Sequence, residues 1–157
     1  LHRIIYTMGY GYGVWLVLQI NGVKTHIPHS TIACNMTKDD AFTLYNEFIE
    51  LNGKNIRCTI DLSDYVILTP NYYANSKDQL YGWCWAYNVN IIAAMPSYQN
   101  NLDLPERHHI SMQYEKEKAL LCPEQKDMVY SLIGSIEVVD IRSDIPSEWN
   151  IITRELQ

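Results

Sequence analysis

The sequence predicts an α+β fold of two similar lobes, each of antiparallel sheet plus helix, related by a pseudo-twofold axis with a cleft at the centre. Three observations carry that expectation. Short runs of alternating or β-branched apolar residues recur along the 157 residues, each bounded by turn residues. Two stretches show helical spacing instead: Ala41, Leu44, Tyr45, Phe48 and Ile49, and later Met128, Val129, Leu132 and Ile133. A histidine followed two places on by a hydroxyl side chain occurs in the strand-like run Pro28-His29-Ser30-Thr31-Ile32-Ala33, and again in His109-Ile110-Ser111-Met112.

Residues 1–6 have strand composition and lead into Gly9-Tyr10-Gly11-Tyr12-Gly13. Such a loop can cradle a phosphate, but here it lies between two strands with no helix start behind it, so a turn or bulge is the better reading. A strand over 14–20 follows, and Asn21-Gly22 is a strong hairpin signal that returns the chain antiparallel as a strand over 26–33. Thr37 then caps a helix with Asp39 and Asp40 in its first turn, and Asn52-Gly53 stops it. Ile56, Cys58, Ile60 and Leu62 alternate with polar residues as a half-buried strand, and 66–68 is another short one. Residues 70–79 read as a polar loop. From 80 to 95 strand character returns, with Tyr81, Trp83, Trp85 and Tyr87 on one face, either as core or as the wall of a base-stacking cleft.

Residues 96–107 form a loop before the second motif strand, over 109–114. A charged patch over 115–118 reads as solvated surface. Residues 123–133 read as a second helix, with Pro123 in the first turn and Gly134 as its stop. Strands over 136–141 and 149–153 end the chain. The two halves therefore match in order, and His29 stands as far from Ile56 as His109 does from Ile136.

Composition narrows the function. Twelve Lys and Arg stand against eighteen Asp and Glu, a net charge of −6 and a pI near 5.2. Grip on a long nucleic acid needs a basic face, so a long polyanion is not the expected partner, whereas a short oligonucleotide in a pocket is compatible. Cys34, Cys58, Cys84 and Cys122 form no Cys-x-x-Cys pair and read as reduced residues of an intracellular protein. No carboxylate-and-histidine cluster has metal-ligand spacing, so no metal or other cofactor is expected. The apolar run 14–20 is too short to span a bilayer, and no membrane partner is expected. The length suits one domain over 1–157, and the start at Leu1 reads as a piece of something longer.

The motif pair carries the chemistry. On a strand, residues two apart share a face, so His29 with Thr31, and His109 with Ser111, each look into one space. Two imidazoles and two hydroxyls can supply an acid, a base and two donors for phosphate oxygens. His26 lacks the hydroxyl partner, since Pro28 stands at that place. His108 faces away from His109 and reads as a surface or packing residue.

These motifs, His29-Ser30-Thr31-Ile32 and His109-Ile110-Ser111-Met112, resemble those of the two-histidine (2H) phosphoesterases, and the Pro-His-x-Thr-Ile-Ala form is most similar to the family's viral branch. That branch includes coronavirus accessory phosphodiesterases, a torovirus polyprotein domain and the C-terminal domain of the rotavirus capping enzyme. The resemblance implies a bilobal α+β fold and catalytic roles for His29, Thr31, His109 and Ser111. It implies metal-free cleavage of 2′,5′-linked oligoadenylates, the activators of host RNase L, and so antagonism of the interferon response. It also implies a host-cytoplasmic location, or the virion for a capping enzyme, with the other domains of a viral polyprotein as neighbours. Serine in the second motif, where threonine is commoner, keeps the donor and loses a methyl group. Recognition of adenine calls for stacking surfaces, for which Tyr10, Tyr12, Tyr81, Trp83 and Tyr114 are the candidates, with Arg107 or Lys24 for phosphate. A cyclic-nucleotide or RNA-end-processing enzyme and a non-catalytic nucleotide-binding module are the competing expectations.

Overall fold

The computed structural model describes residues 10–21, 23, 26–68, 83–96, 108–115, 126–143 and 145–154, with backbone alone at 66–68, 83–84, 114–115 and 146. The expectations for 1–6, 70–79 and 97–107, and those for Lys24, Tyr81 and Arg107, lie outside the described residues. Trp83 and Tyr114 are described through their backbones only.

The fold is α+β, dominated by one antiparallel sheet. Strands β1 (Tyr12–Val17), β2 (His29–Met36), β3 (Asn55–Leu68), β4 (Trp83–Ile92), β5 (His109–Glu115), β6 (Val129–Asp140) and β7 (Asn150–Ile151) take the spatial order β1-β2-β5-β4-β3-β6-β7. Pairing of β1 with β6 closes the first six into a barrel, with β7 outside on β6. Closure removes the exposed edges that an open sheet must protect.

Side-chain alternation sorts the residues into two cores. Val14, Leu16, Ile32, Ile56, Cys58, Ile60, Val89, Ile110, Met112, Ile136 and Val138 pack into the main core inside the barrel. Trp85 and Tyr87 join it, with their rings 5.3 Å apart edge to face, so of the two readings of that aromatic face these two residues take the core one. A smaller cluster on the outer side contains Trp15, Val17, Val139, Ile141, Trp149 and Ile151.

Helix α1 (Lys38–Asn52) forms where the capping signals place it. The Thr37 side chain accepts from the Asp40 N–H, and Gly53, at φ 79°, closes the end with its N–H on the Ile49 carbonyl. Ala41, Leu44 and Phe48 are the buried positions. The second helix, predicted over 123–133, is not there: residues 129–133 begin the long strand β6 (residues 123–125 are not described). The apolar positions 128, 129, 132 and 133 match a helix for little more than one turn, a run too short to separate the two periods. Tertiary pairing decides it, because β6 bonds β3 on one side and β1 on the other. Gly134 is then no helix stop but a point of close approach. A Cβ there would lie 2.7 Å from the Val17 carbonyl oxygen and 2.7 Å from Leu16 Cδ1.

The other differences are of extent. The two strands predicted at 56–62 and 66–68 are one, with a register irregularity between Ile60 and Tyr65. Strand β2 starts at His29 and not at residue 26. Of the Gly-rich stretch, Tyr10 lies in a turn and Tyr12 and Gly13 open β1: Tyr10 N–H donates to the Ile141 carbonyl, and the carbonyl of Gly11, whose φ is 70°, accepts from the Ile141 N–H. These backbone groups of Tyr10 and Gly11 are thus used within the protein.

Candidate functional site

Strands β2 and β5 are far apart in sequence and adjacent in space. They are antiparallel, with Ser30 opposite Ile110. Continuing that register one residue each way sets His29 opposite Ser111 and Thr31 opposite His109. Ile110 and Met112 point into the main core, so alternation turns His109 and Ser111 to the outer face, where His29 and Thr31 also point. The four motif side chains share one patch of sheet.

Their surroundings differ. His29 is 7 % exposed and lies flat on Trp15, with ring centroids 3.4 Å apart and planes 5° from parallel. Trp149 meets it edge-on at 6.1 Å. His29 Nδ1 is 2.6 Å from the Ile27 carbonyl oxygen. A carbonyl only accepts, so Nδ1 carries the proton and Nε2 keeps the lone pair. Burial holds the pKa of His29 down to about 3, against the partial help of the Ile27 carbonyl, and His26 and His109 push it the same way as burial. The ring is neutral at ordinary pH. His109 is half-buried, and Ser111 is buried.

A cavity of about 140 Å³ opens beside His29, lined by Tyr10, Trp15, His29, Thr31, Cys34, Ile141 and Trp149. It is smaller than the roughly 300–1,000 Å³ typical of drug-sized ligands, so it takes one phosphate group or one ring of a larger molecule. Trp149 is held in place by its Nε1–H on the Ser143 carbonyl, 2.9 Å away, and by edge contact with Tyr10 and Trp15. Trp15 Nε1 is buried without a hydrogen-bond partner.

Of the predicted substrate contacts, Tyr10 lines this cavity and Tyr12 does not. Tyr12 belongs to the inward-facing row of β1 and packs against the main core, with the Arg142 guanidinium 4.9 Å from its ring centre. Sequence reading passed over three residues. Trp15 and Trp149 are brought to His29 by the β1–β2 register and by the chain's return to β6. His26, set aside for lack of a hydroxyl partner, is buried with its ring 6.0 Å from that of His29 and its Nε2 2.8 Å from the Ser111 carbonyl oxygen. Only its place three residues before His29 marked it.

Next to Trp15 across the sheet is Glu137, 1 % exposed and fully paired. Lys54 Nζ at 3.1 Å, Arg154 Nε at 2.8 Å, Thr153 Oγ1 at 2.7 Å and Ser135 Oγ at 3.0 Å surround its carboxylate. Burial pushes its pKa up and these hydrogen bonds more than offset it, so the group stays ionised and ties residues 153–154 to the barrel. Among the described residues no group of three or more His, Cys, Asp or Glu is placed to hold a metal ion, and no helix is long and apolar enough to cross a membrane. Cys34 is half-buried and Cys58 is buried in the main core.

Searches of this chain against protein-family models, curated proteins and solved structures return no match.

Proposed function

We propose that this chain is a metal-independent phosphodiesterase of the 2H type, acting on short 2′,5′-linked oligoadenylates and thereby antagonising RNase L and the interferon response. The observation that carries the reading is the meeting of the two His-x-Ser/Thr motifs on neighbouring antiparallel strands, with Ser30 opposite Ile110. A two-lobed fold is part of the proposal. Exchanging β1, β2 and β3 with β4, β5 and β6 leaves the circular strand order unchanged, which is what a twofold relation between halves demands. The site would work in the host cytoplasm, within a larger viral protein.

In this reading an oxygen nucleophile, water or the neighbouring 3′-hydroxyl, attacks phosphorus and gives its proton to His29 Nε2. The leaving oxygen takes a proton from His109 as its bond to phosphorus breaks. Thr31 and Ser111 donate to the non-bridging oxygens. A phosphodiester anion beside His29 favours the imidazolium and raises its proton affinity above that of the empty site, which suits a base.

The test is turnover of 2′,5′- and 3′,5′-linked triadenylate in EDTA, by wild type and by His29→Ala and His109→Ala. Selective loss of the 2′,5′ substrate, reduced at least roughly 10²–10⁴-fold in each variant, is the expected result. Cleavage of both linkages points to RNA-end processing. The deep burial of His29 favours one second reading, a non-catalytic nucleotide-binding module; binding of either oligonucleotide without turnover selects it.

A further inference from the structure

Three histidines, not two, meet at the β2–β5 seam. His26 precedes β2, yet its side chain crosses to β5: Nε2 lies 2.8 Å from the carbonyl oxygen of Ser111, the hydroxyl residue of the second motif. The acceptor is a carbonyl, so Nε2 carries the proton and donates. On its other side the His26 ring stands edge-on to His29, at 6.0 Å and 81°. It is 8 % exposed, and burial lowers its pKa against the opposing pull of the Ser111 carbonyl, so it is a neutral donor. The seam needs such a brace. Ser30 with Ile110 is the one residue pair that links β2 to β5 in the ladder, whereas β4 and β5 share six.

We propose that His26 is a positioning residue, which sets the distance between the two motifs by holding the Ser111 backbone with its Nε2–H and the edge of His29 with its ring. The inference rests on the phosphodiesterase reading for its consequence, not for its geometry. Ser111 Oγ and His29 Nε2 must address one phosphate from opposite strands, and a misplacement of about 1 Å can cost about 10²-fold in rate. Among the groups facing His26 are His29 from its own chain segment and Ser111 from β5. His109, next along β5 on the same face, is the further titratable group of the cluster.

The experiment compares wild type, His26→Leu and His26→Gln. Leucine keeps much of the bulk and loses the donor; glutamine keeps an N–H near the place of Nε2. Two readouts are taken on each folded protein: the NMR shifts of the Ser111 carbonyl carbon and the His29 ring nitrogens, and kcat and KM for 2′,5′-triadenylate. The expected result is that His26→Leu moves both sets of shifts and lowers kcat by about 10- to 100-fold, with KM within about twofold. His26→Gln returns the shifts and most of kcat. A His26→Leu protein with wild-type shifts and kcat overturns the proposal, as does a His26→Gln protein as impaired as His26→Leu. If wild type cleaves neither linkage, the phosphodiesterase reading fails. The carbonyl shift still shows whether His26 holds the seam, and an unmoved shift overturns that too.

Discussion

The two halves of the chain share an order of strands and differ in what surrounds each motif. Each brings a strand, then a motif strand, then a long strand that crosses to the other half: β3 pairs with β4, and β6 with β1. Between motif and long strand the first half has a capped helix of 15 residues, whereas residues 129–133, read from sequence as the same helix, belong to the strand. The motifs differ as well. His29 is sealed between Trp15 and Trp149, and His109 is half-buried. A shared pattern of residues therefore does not guarantee a shared environment. Burial beneath Trp15 and Trp149 holds the His29 ring neutral, and the cavity of about 140 Å³ lies beside it.

Removing the cover should erase that difference. Trp15→Ala is expected to destabilise the protein by about 3–5 kcal/mol, the usual cost for a buried tryptophan, measured by denaturant unfolding. In the folded variant the His29 resonances titrate closer to the ordinary histidine value of 6.5, because desolvation was the main cause of the shift. An unmoved titration would locate the cause elsewhere.

Burial of a neutral histidine also makes the first motif sensitive to acid. The folded-state pKa of His29, about 3, lies below the unfolded value. Between pH 6.5 and about 3 the unfolded chain binds the proton that the folded one refuses, so stability falls as pH falls, by an amount on the order of a few kcal/mol. Unfolding midpoints between pH 7 and 4.5 should decline, and His29→Phe should flatten that decline. Glu137, whose carboxyl is held below its usual 4.5, adds its own acid loss only at the lower end of that range.

The junctions after each motif give smaller effects of opposite kind. Gly134→Ala forces a methyl group against the Val17 carbonyl and is expected to cost about 1–3 kcal/mol, as overpacking does. Were 123–133 a helix stopped at Gly134, the same change would be mild. Thr37→Ala removes the cap of α1 and is expected to cost about 1 kcal/mol, in thermal unfolding that leaves the sheet signal intact to the transition.

Much of the site was legible before the fold. Each motif sits on a strand with its histidine and its hydroxyl residue on one face. Local chemistry suffices for that, since alternation along a strand is set by the backbone itself. The helix at Lys38–Asn52 was equally readable, because Thr37, Asp39, Asp40 and Gly53 all act within a few residues of chain. Four things were settled only by tertiary structure: Trp15 on His29, Trp149 at the cavity, His26 across the seam, and residues 129–133 as strand. Each depends on a partner supplied by distant chain, so no window of sequence contains it. The residues determined which side chains share a strand face; packing of Trp15 and Trp149, brought from elsewhere in the chain, decided that His29 is buried and neutral.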